Sequence, residues 1–322
     1  MSSKPLNNPP DLDKRFLAPA DWQTGEFENP ETGHKIHYGF VLPENPKGCV
    51  VVLPGLSEFT EKYYETAHDL LARNLGVFVI DWHGQGRSSR GLSNPHKRHS
   101  ISFDRDISDL HHLISKIVHK KTSVPLTVLA HSMGGNLAIR YMLRHPDAFK
   151  AAAFSAPMLG ISDLARFPDW TLKFLLWLLY PFLHFYIPGG KDWHEAARKS
   201  DGSDIFSSDP ERDSLHNTWS SYNPVLQVGN PTLGWVKAAL SSCEIIRNGR
   251  LENINTPCLF VAAEHEKIVY NQAIRDAATR IPFASFKEIQ NAKHEILMET
   301  DDIRSQFWNA FDKTLQNAIG TL

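Results

Sequence analysis

The sequence has few cysteines and no apolar run long enough to cross a membrane. Only three of its 322 residues are cysteine, Cys49, Cys243 and Cys258. A small and odd number of cysteines argues against a disulfide framework and is typical of proteins from a reducing compartment. The apolar stretch at 172–187 is shorter than the about 20 residues of a spanning helix and contains a lysine and a proline. We therefore expect a cytoplasmic protein, with peripheral membrane association left open.

An excess of charge of one sign is also absent. Lys and Arg number 34 and Asp and Glu 36, for a net charge of −2, which leaves no basic field for nucleic acid. The first 22 residues contain no apolar core segment, so a secretory signal peptide is not predicted. We expect these residues to belong to an irregular N-terminal arm over 1–25.

Metal and dinucleotide motifs are incomplete. The pairs His194-Glu195 and His294-Glu295 do not extend to H-E-x-x-H, and no third glycine follows Gly84 and Gly86 at the required spacing. We expect no metal and no cofactor.

Short apolar runs alternate with segments of helical periodicity along most of the chain. Strands are predicted at 34–43, 49–53, 77–81, 125–130, 150–156, 257–263 and 284–290. Helices are predicted at 61–74, 103–120, 133–145, 269–280 and 301–318. This alternation indicates a parallel sheet flanked by helices. It fails over 158–245, which we interpret as a helical cap inserted into a core of 26–157 and 246–322.

The stretch LAHSMGG at 129–135 differs by one residue from the pattern G-x-S-x-G, because Ala130 stands at its first glycine. Ser132 lies where a predicted strand meets a predicted helix, at the sheet edge where α/β proteins place ligands. The turn requires small residues two positions before and after the serine. Gly134 meets this requirement and alanine adds one methyl group, so Ser132 is the candidate nucleophile.

A serine nucleophile needs a base and an acid that orients the base. His294 follows the last predicted strand, and Glu264 and Glu266 follow the strand before it. The order serine, acid, histidine is typical of the α/β-hydrolase fold. Both glutamates remain candidates for the acid on this spacing alone. The N–H groups of Met133 and Leu56 are the candidate donors to an oxyanion.

The segments LPGLSEFTEKYYETAHDLLARNLGVFVIDWHGQGRSS and AHSMGG resemble the monoacylglycerol lipase and lysophospholipase group of α/β-hydrolases, and most of all its bacterial lysophospholipases. The resemblance covers about 35–165 and 255–300. It implies an eight-stranded, mostly parallel sheet with a helical cap. It favours Glu266 as the acid, because Glu266 stands where the group has aspartate. A second departure is Pro54, where the group has histidine.

The apolar stretch of the predicted cap offers Trp170, Phe174, Trp177 and Tyr180 as candidate substrate-binding residues. They could pack the cap onto the core, line a site for an acyl chain, or lie on a membrane surface.

The expected function is that of a serine hydrolase that cleaves carboxylic esters of monoacyl lipids, either lysophospholipids or monoacylglycerols. The alternatives are a general carboxylesterase, an aminopeptidase-like enzyme of the same fold, and a non-catalytic ligand-binding relative.

Overall fold

The computed structural model describes residue 9 and residues 11–319. Eight strands form one sheet: β1 (Gln23–Asn29), β2 (His34–Val41), β3 (Gly48–Leu53), β4 (Leu75–Ile80), β5 (Leu126–His131), β6 (Ala151–Ser155), β7 (Cys258–Ala263) and β8 (Ala284–Ile289). Their order across the sheet is β1-β2-β4-β3-β5-β6-β7-β8. β2 pairs antiparallel with both β1 and β4, and the other pairs are parallel. The prediction of an eight-stranded, mostly parallel sheet flanked by helices is confirmed.

Helices connect most of the strands of the described residues, and three of them lie together between β6 and β7. The helices are α1 (Tyr64–Leu71), α2 (Asp104–His112), α3 (His119–Lys121), α4 (Met133–Arg144), α5 (Asp169–Leu178), α6 (Pro210–Tyr222), α7 (Leu233–Asn248), α8 (Asn271–Arg280) and α9 (Asp301–Ile319). A π-helical stretch, Leu113–Val118, joins α2 to α3. No helix in this part of the chain is long and apolar enough to cross a bilayer.

The central strands are buried along their whole length. Every residue of β3, β4, β5 and β7 is buried, as expected for parallel strands covered by helices on both faces. Because β3, β5, β7 and β8 run in the same direction, the loops that follow them meet at one edge of the sheet. That edge carries the predicted site.

Strand β1 is absent from the predicted elements, and its first residues fall within the predicted irregular arm. Its sequence, QTGEFEN, has one glycine, Gly25, and two glutamates, and only Phe27 and Asn29 are buried. Pairing with β2 along its whole length holds it in the sheet. Residues 1–8 and 10 of the arm lie outside the described residues.

Between β6 and β7 the chain leaves the sheet for about a hundred residues and forms α5, α6 and α7. We call residues 158–245 the insertion. Trp219 of α6 packs edge-to-face on Tyr64 of α1, with ring centroids 5.8 Å apart. Trp235 of α7 packs against Phe103. The insertion therefore rests on the core through buried aromatic side chains.

Candidate active site

Ser132 occupies a strained turn between β5 and α4. Its backbone has φ 49° and ψ −116°, a conformation that non-glycine residues rarely adopt and that often marks a functional position. The turn brings α4 against β3, so that a Cβ on Gly134 would lie 2.1 Å from the Leu53 carbonyl oxygen. Ala130 instead stays in β5, paired with Leu53, and its methyl group is fully buried. Glycine is required after the serine but not before it.

The three side chains that the resemblance selects meet in one hydrogen-bonded chain. Ser132 Oγ lies 3.0 Å from His294 Nε2. His294 Nδ1 lies 2.7 Å from Glu266 Oε2. The other carboxylate oxygen of Glu266 accepts the backbone N–H groups of Ile268 and Val269 at 2.7 and 3.2 Å. Both carboxylate oxygens of Glu266 therefore accept hydrogen bonds, and these bonds fix the position of the side chain.

Glu264 points away from this chain. Its side chain is exposed and accepts the backbone N–H of Asn291 at 2.8 Å. Of the two glutamates left open by spacing, the structure brings Glu266 to His294.

The two partners have pKa values shifted in opposite directions. Burial alone would raise the pKa of the Glu266 carboxyl, but the neighbouring His294 and the N–H donors of Ile268 and Val269 hold it below its usual value. Burial alone would lower the pKa of His294, but the carboxylate of Glu266, with smaller contributions from Glu295 and Glu58, raises it. The arrangement favours the protonated imidazole that forms when a serine proton is transferred.

Two hydrogen bonds hold the loop after β3, and the backbone N–H of the residue between them, Leu56, has no protein acceptor among the described residues. The Gly55 N–H donates to Glu58 Oε2, and the Ser57 N–H donates to Gln85 Oε1 at 3.1 Å. Within the described part of the chain, the N–H of Leu56 between them donates to no protein acceptor, and neither does that of Met133 at the start of α4. These are the two donors predicted for an oxyanion, and the helix N-terminus adds a favourable dipole.

His131 lies beside the site without joining the chain. Its Nδ1 is 3.0 Å from the Ser155 carbonyl oxygen, and its ring centroid is 4.8 Å from that of His294. Burial lowers the pKa of His131 to about 4. A neutral imidazole that donates Nδ1–H to a carbonyl supports the turn by packing.

Asp81 braces the loops under the site. It accepts hydrogen bonds from the Thr60 N–H at 2.8 Å and hydroxyl at 2.9 Å, and from the Arg87 N–H at 2.9 Å. A Cβ on Gly86 would lie 2.2 Å from the Asp81 carboxyl carbon. The Asp-x-x-Gly-x-Gly segment shapes a turn and carries no chemistry of its own.

A row of buried or nearly buried charged residues lies beside His294, and the sequence patterns above do not predict it. It runs from Glu58 through Lys62 and Glu295 to Arg198 of the insertion. One signal was present, since charged residues at 58 and 62 have i, i+4 spacing after the oxyanion loop. Glu295 appears in the sequence only as part of the incomplete metal motif His294-Glu295.

The four aromatic residues proposed for substrate binding lie at the surface. Trp170, Phe174, Trp177 and Tyr180 are 59–71% exposed. The opposite side of α5 faces a cavity of about 230 Å³ between α5, α7 and α8. Its apolar lining includes Leu159, Leu164, Leu172, Leu176, Leu240 and Ile246. This cavity is a partly open, mostly apolar space, and residues other than these four line it.

Among the described residues, no group of three or more His, Cys, Asp or Glu side chains is arranged to hold a metal ion.

The sheet order and the serine at this turn define an α/β-hydrolase. The chain belongs to the family described as serine aminopeptidase, S33, whose sequence model matches residues 44–301. Over 267 residues it is 32% identical to lysophospholipase L2 of Escherichia coli strain K12, an alignment that covers 80% of this chain and 76% of that protein. It is 31% identical to the monoacylglycerol lipase of Mycolicibacterium smegmatis over 132 residues, 41% of this chain and 45% of that protein. The predicted resemblance is confirmed.

Solved structures share the fold at low identity. A soluble variant of the monoglyceride lipase of Saccharomyces cerevisiae, in complex with a substrate analogue, aligns with a TM-score of 0.70 at 18% identity, over 96% of this chain and 100% of that one. A thermostable carboxyl esterase from Bacillus coagulans aligns with a TM-score of 0.73 at 18% identity, over 94% and 99%. Both agree with the α/β-hydrolase architecture.

Proposed function

We propose that this protein is a serine hydrolase that cleaves the carboxylic ester of a monoacyl lipid, a lysophospholipid or a monoacylglycerol. The observation that carries the proposal is the hydrogen-bonded chain Ser132–His294–Glu266 at a strained turn, with distances of 3.0 and 2.7 Å. The substrate class rests on the relatives, because the E. coli protein that is 32% identical over most of this chain is named a lysophospholipase.

In the first half of the reaction, Ser132 Oγ attacks the ester carbonyl while His294 Nε2 takes its proton. Glu266 holds His294 in the tautomer with Nδ1–H and stabilises the imidazolium that forms. The N–H groups of Leu56 and Met133 bind the tetrahedral oxyanion. The C–O bond to the alcohol then breaks, and His294 returns the proton to the leaving oxygen.

In the second half, water attacks the acyl group on Ser132 with His294 again as the base. The second tetrahedral intermediate uses the same two N–H donors. Its collapse releases the fatty acid and returns the proton to Ser132 Oγ, so the cycle needs no external group.

The cavity between α5, α7 and α8 is our candidate for the acyl chain. Leu159 lines it, and the neighbouring Met158 donates its backbone N–H to the Ser132 carbonyl at 2.9 Å. The lining of the cavity thus reaches the segment after β6, which is hydrogen-bonded to the backbone of Ser132. A partly open, mostly apolar space beside this segment suits a substrate with one long chain.

We also propose that the exposed face of α5 contacts a lipid surface. Trp170, Phe174, Trp177 and Leu178 are each more than half exposed, and so much apolar surface on one helix face marks an interaction site. Tryptophan favours the membrane–water interface. Contact there would bring the enzyme to a substrate that resides in bilayers.

A second candidate is an aminopeptidase, because the matching family is described as serine aminopeptidase. The same catalytic chain supports attack on an amide, and the two candidates differ in substrate alone.

The test combines a probe with a substrate panel. A fluorophosphonate should label the wild-type protein and leave Ser132→Ala unlabelled; equal labelling of both would remove Ser132 as the nucleophile. Rates are then compared on lysophospholipids and monoacylglycerols of several chain lengths, on short aryl esters and on aminoacyl anilides. We expect the highest kcat/KM on a long-chain monoacyl lipid. A preference for anilides would favour the aminopeptidase, and a preference for short aryl esters would favour a general carboxylesterase.

A further inference from the structure

The loop that carries His294 is held from outside the sheet by the insertion. The Glu295 N–H donates to the Phe206 carbonyl at 2.8 Å. On the other side of His294, Lys293 Nζ donates to the carbonyls of Gly202 and Ser207 at 2.8 and 3.0 Å. Both residues that flank the histidine are therefore tied to residues 202–207 of the insertion.

A buried ion-pair chain reinforces this attachment. Arg198 of the insertion donates two hydrogen bonds of 3.0 Å to the two carboxylate oxygens of Glu295. Lys62, with a fully buried side chain, lies 2.7 Å from the same carboxylate and 2.8 Å from Glu58. Two-point pairing of a guanidinium with a carboxylate fixes orientation as well as distance. The orientation of Glu295 thus depends on Arg198.

The same chain reaches the oxyanion loop. Glu58 accepts the Gly55 N–H and the Tyr63 hydroxyl, the latter at 2.6 Å. Glu58 thereby fixes Gly55, the residue before Leu56, and the carbonyl of the Gly55–Leu56 peptide accepts a hydrogen bond from Gln85 Nε2 at 2.8 Å. One continuous set of ion pairs therefore joins the insertion, the histidine loop and the oxyanion loop.

We propose that Arg198 is a positioning residue that makes the active geometry depend on the docked insertion. Seated on Glu295, it holds His294 toward Ser132 and, through Lys62 and Glu58, holds the Leu56 N–H toward the oxyanion. An insertion lifted from the core would leave Glu295 and Lys62 without Arg198, so the site is complete only when the insertion is docked. This inference rests on the proposed hydrolase function.

The charges around Glu295 and His294 determine how replacement of Arg198 or Glu295 should shift the titration of His294. Glu295 is faced by Arg198, Lys62, Glu58, His131, Asp213 and His216, and His294 by Glu266, Glu295, Glu58 and His131. Removing the cation of Arg198 leaves more uncompensated negative charge beside His294, which stabilises its imidazolium. Removing the charge of Glu295 does the opposite. These shifts report that the Arg198–Glu295 pair lies close enough to act on His294, and a loss of kcat at constant KM reports the positioning.

The experiment compares Arg198→Met, Arg198→Lys and Glu295→Gln with a matched control, Arg212→Met. Arg212 is also a buried arginine of the insertion that pairs through two hydrogen bonds of 2.8 Å with a core carboxylate, that of Glu65. The readouts are the rate of fluorophosphonate labelling and the pH profile of kcat and KM on a water-soluble aryl ester.

We expect Arg198→Met to lower kcat at least tenfold with KM within threefold, and to move the acid limb of kcat/KM to higher pH. Glu295→Gln should move that limb to lower pH, Arg198→Lys should regain part of the lost kcat, and Arg212→Met should keep kcat within threefold. An unchanged kcat and acid limb in Arg198→Met, or an equal loss of kcat in Arg212→Met, would overturn the inference. If Arg198→Met fails to fold, the decision rests on Arg198→Lys, which keeps the cation and loses the two-point pairing: a kcat equal to that of the wild type would overturn the inference. Unlabelled wild-type protein would instead overturn the hydrolase function itself.

Discussion

The carboxylate of Glu266 joins the loop after β7 to the loop after β8, with one oxygen 2.7 Å from His294 Nδ1 and the other accepting the N–H groups of Ile268 and Val269. The extra methylene of glutamate is thus accommodated by a backbone that binds its far oxygen. The longer side chain loses no contact with the histidine.

Replacement of this acid should be as damaging as in other serine hydrolases. We expect Glu266→Gln to lower kcat by about 10⁴-fold, the loss seen when the orienting acid of a triad becomes an amide. Glu264→Gln is the matched control, two residues away and exposed, and should keep kcat within about twofold. Steady-state rates on an aryl ester measure both. The reverse ranking would show that Glu264 is the acid.

Activity should fall on the acid side through the titration of His294. The base must be neutral to accept the serine proton, and its pKa is raised above the ordinary 6.5 by Glu266, which outweighs the opposite effect of burial. The acid limb of kcat/KM is therefore expected above pH 6.5, with activity increasing as pH rises through it. In Glu266→Gln the limb should move to lower pH. A limb at or below 6.5 in the wild type would contradict the stabilised imidazolium.

The two small residues around Ser132 should respond differently to a change of one methyl group. Gly134→Ala places a Cβ 2.1 Å from the Leu53 carbonyl oxygen, so the turn must shift at a cost of about 1–3 kcal/mol in the free energy of unfolding. Ala130→Gly restores the common pattern and should keep full activity, at a cost of about 0.5–1 kcal/mol for glycine in a strand. Thermal melts and probe labelling check both. Normal labelling of Gly134→Ala would refute the steric argument.

The exposed face of α5 should affect activity on lipid surfaces alone. Trp170→Ser with Trp177→Ser is expected to weaken binding to phosphatidylcholine vesicles severalfold, because each tryptophan contributes apolar area to the interface. Rates on a soluble aryl ester should not change, since neither side chain contacts the catalytic residues. Vesicle co-sedimentation and the two assays separate these effects. If the double variant binds vesicles as well as the wild type does, the exposed face of α5 does not contact lipid as proposed.

The sheet and the catalytic chain were accessible from the sequence because their signals are local. Strand β5 is a continuous apolar run before Ser132, and each candidate partner follows a strand of the same kind. The resemblance favours Glu266 over Glu264, and the structure adds the pair of N–H groups that hold the second carboxylate oxygen of Glu266. Strand β1 was missed because its polar sequence becomes a strand only through pairing with β2.

The buried charges were missed for a different reason. Glu58 and Arg198 are 140 residues apart in sequence. From the sequence alone, each is expected to be a solvated surface residue, because their burial depends on the packing of the insertion against the core. Only tertiary packing shows that such charges neutralise one another. The orientation of the α5 aromatics was equally unreadable, because that helix is apolar on more than one side.

The two tryptophans on α5 also give the molecule a spectroscopic handle. Of its eight tryptophans, Trp170 and Trp177 are about 70% exposed. Trp22, Trp82, Trp219, Trp235 and Trp308 are buried, and Trp193 is half-buried. A water-soluble quencher such as acrylamide should therefore extinguish the emission of this helix first. A blue shift and loss of quenching on mixing with lipid would report its burial in real time, without any added dye.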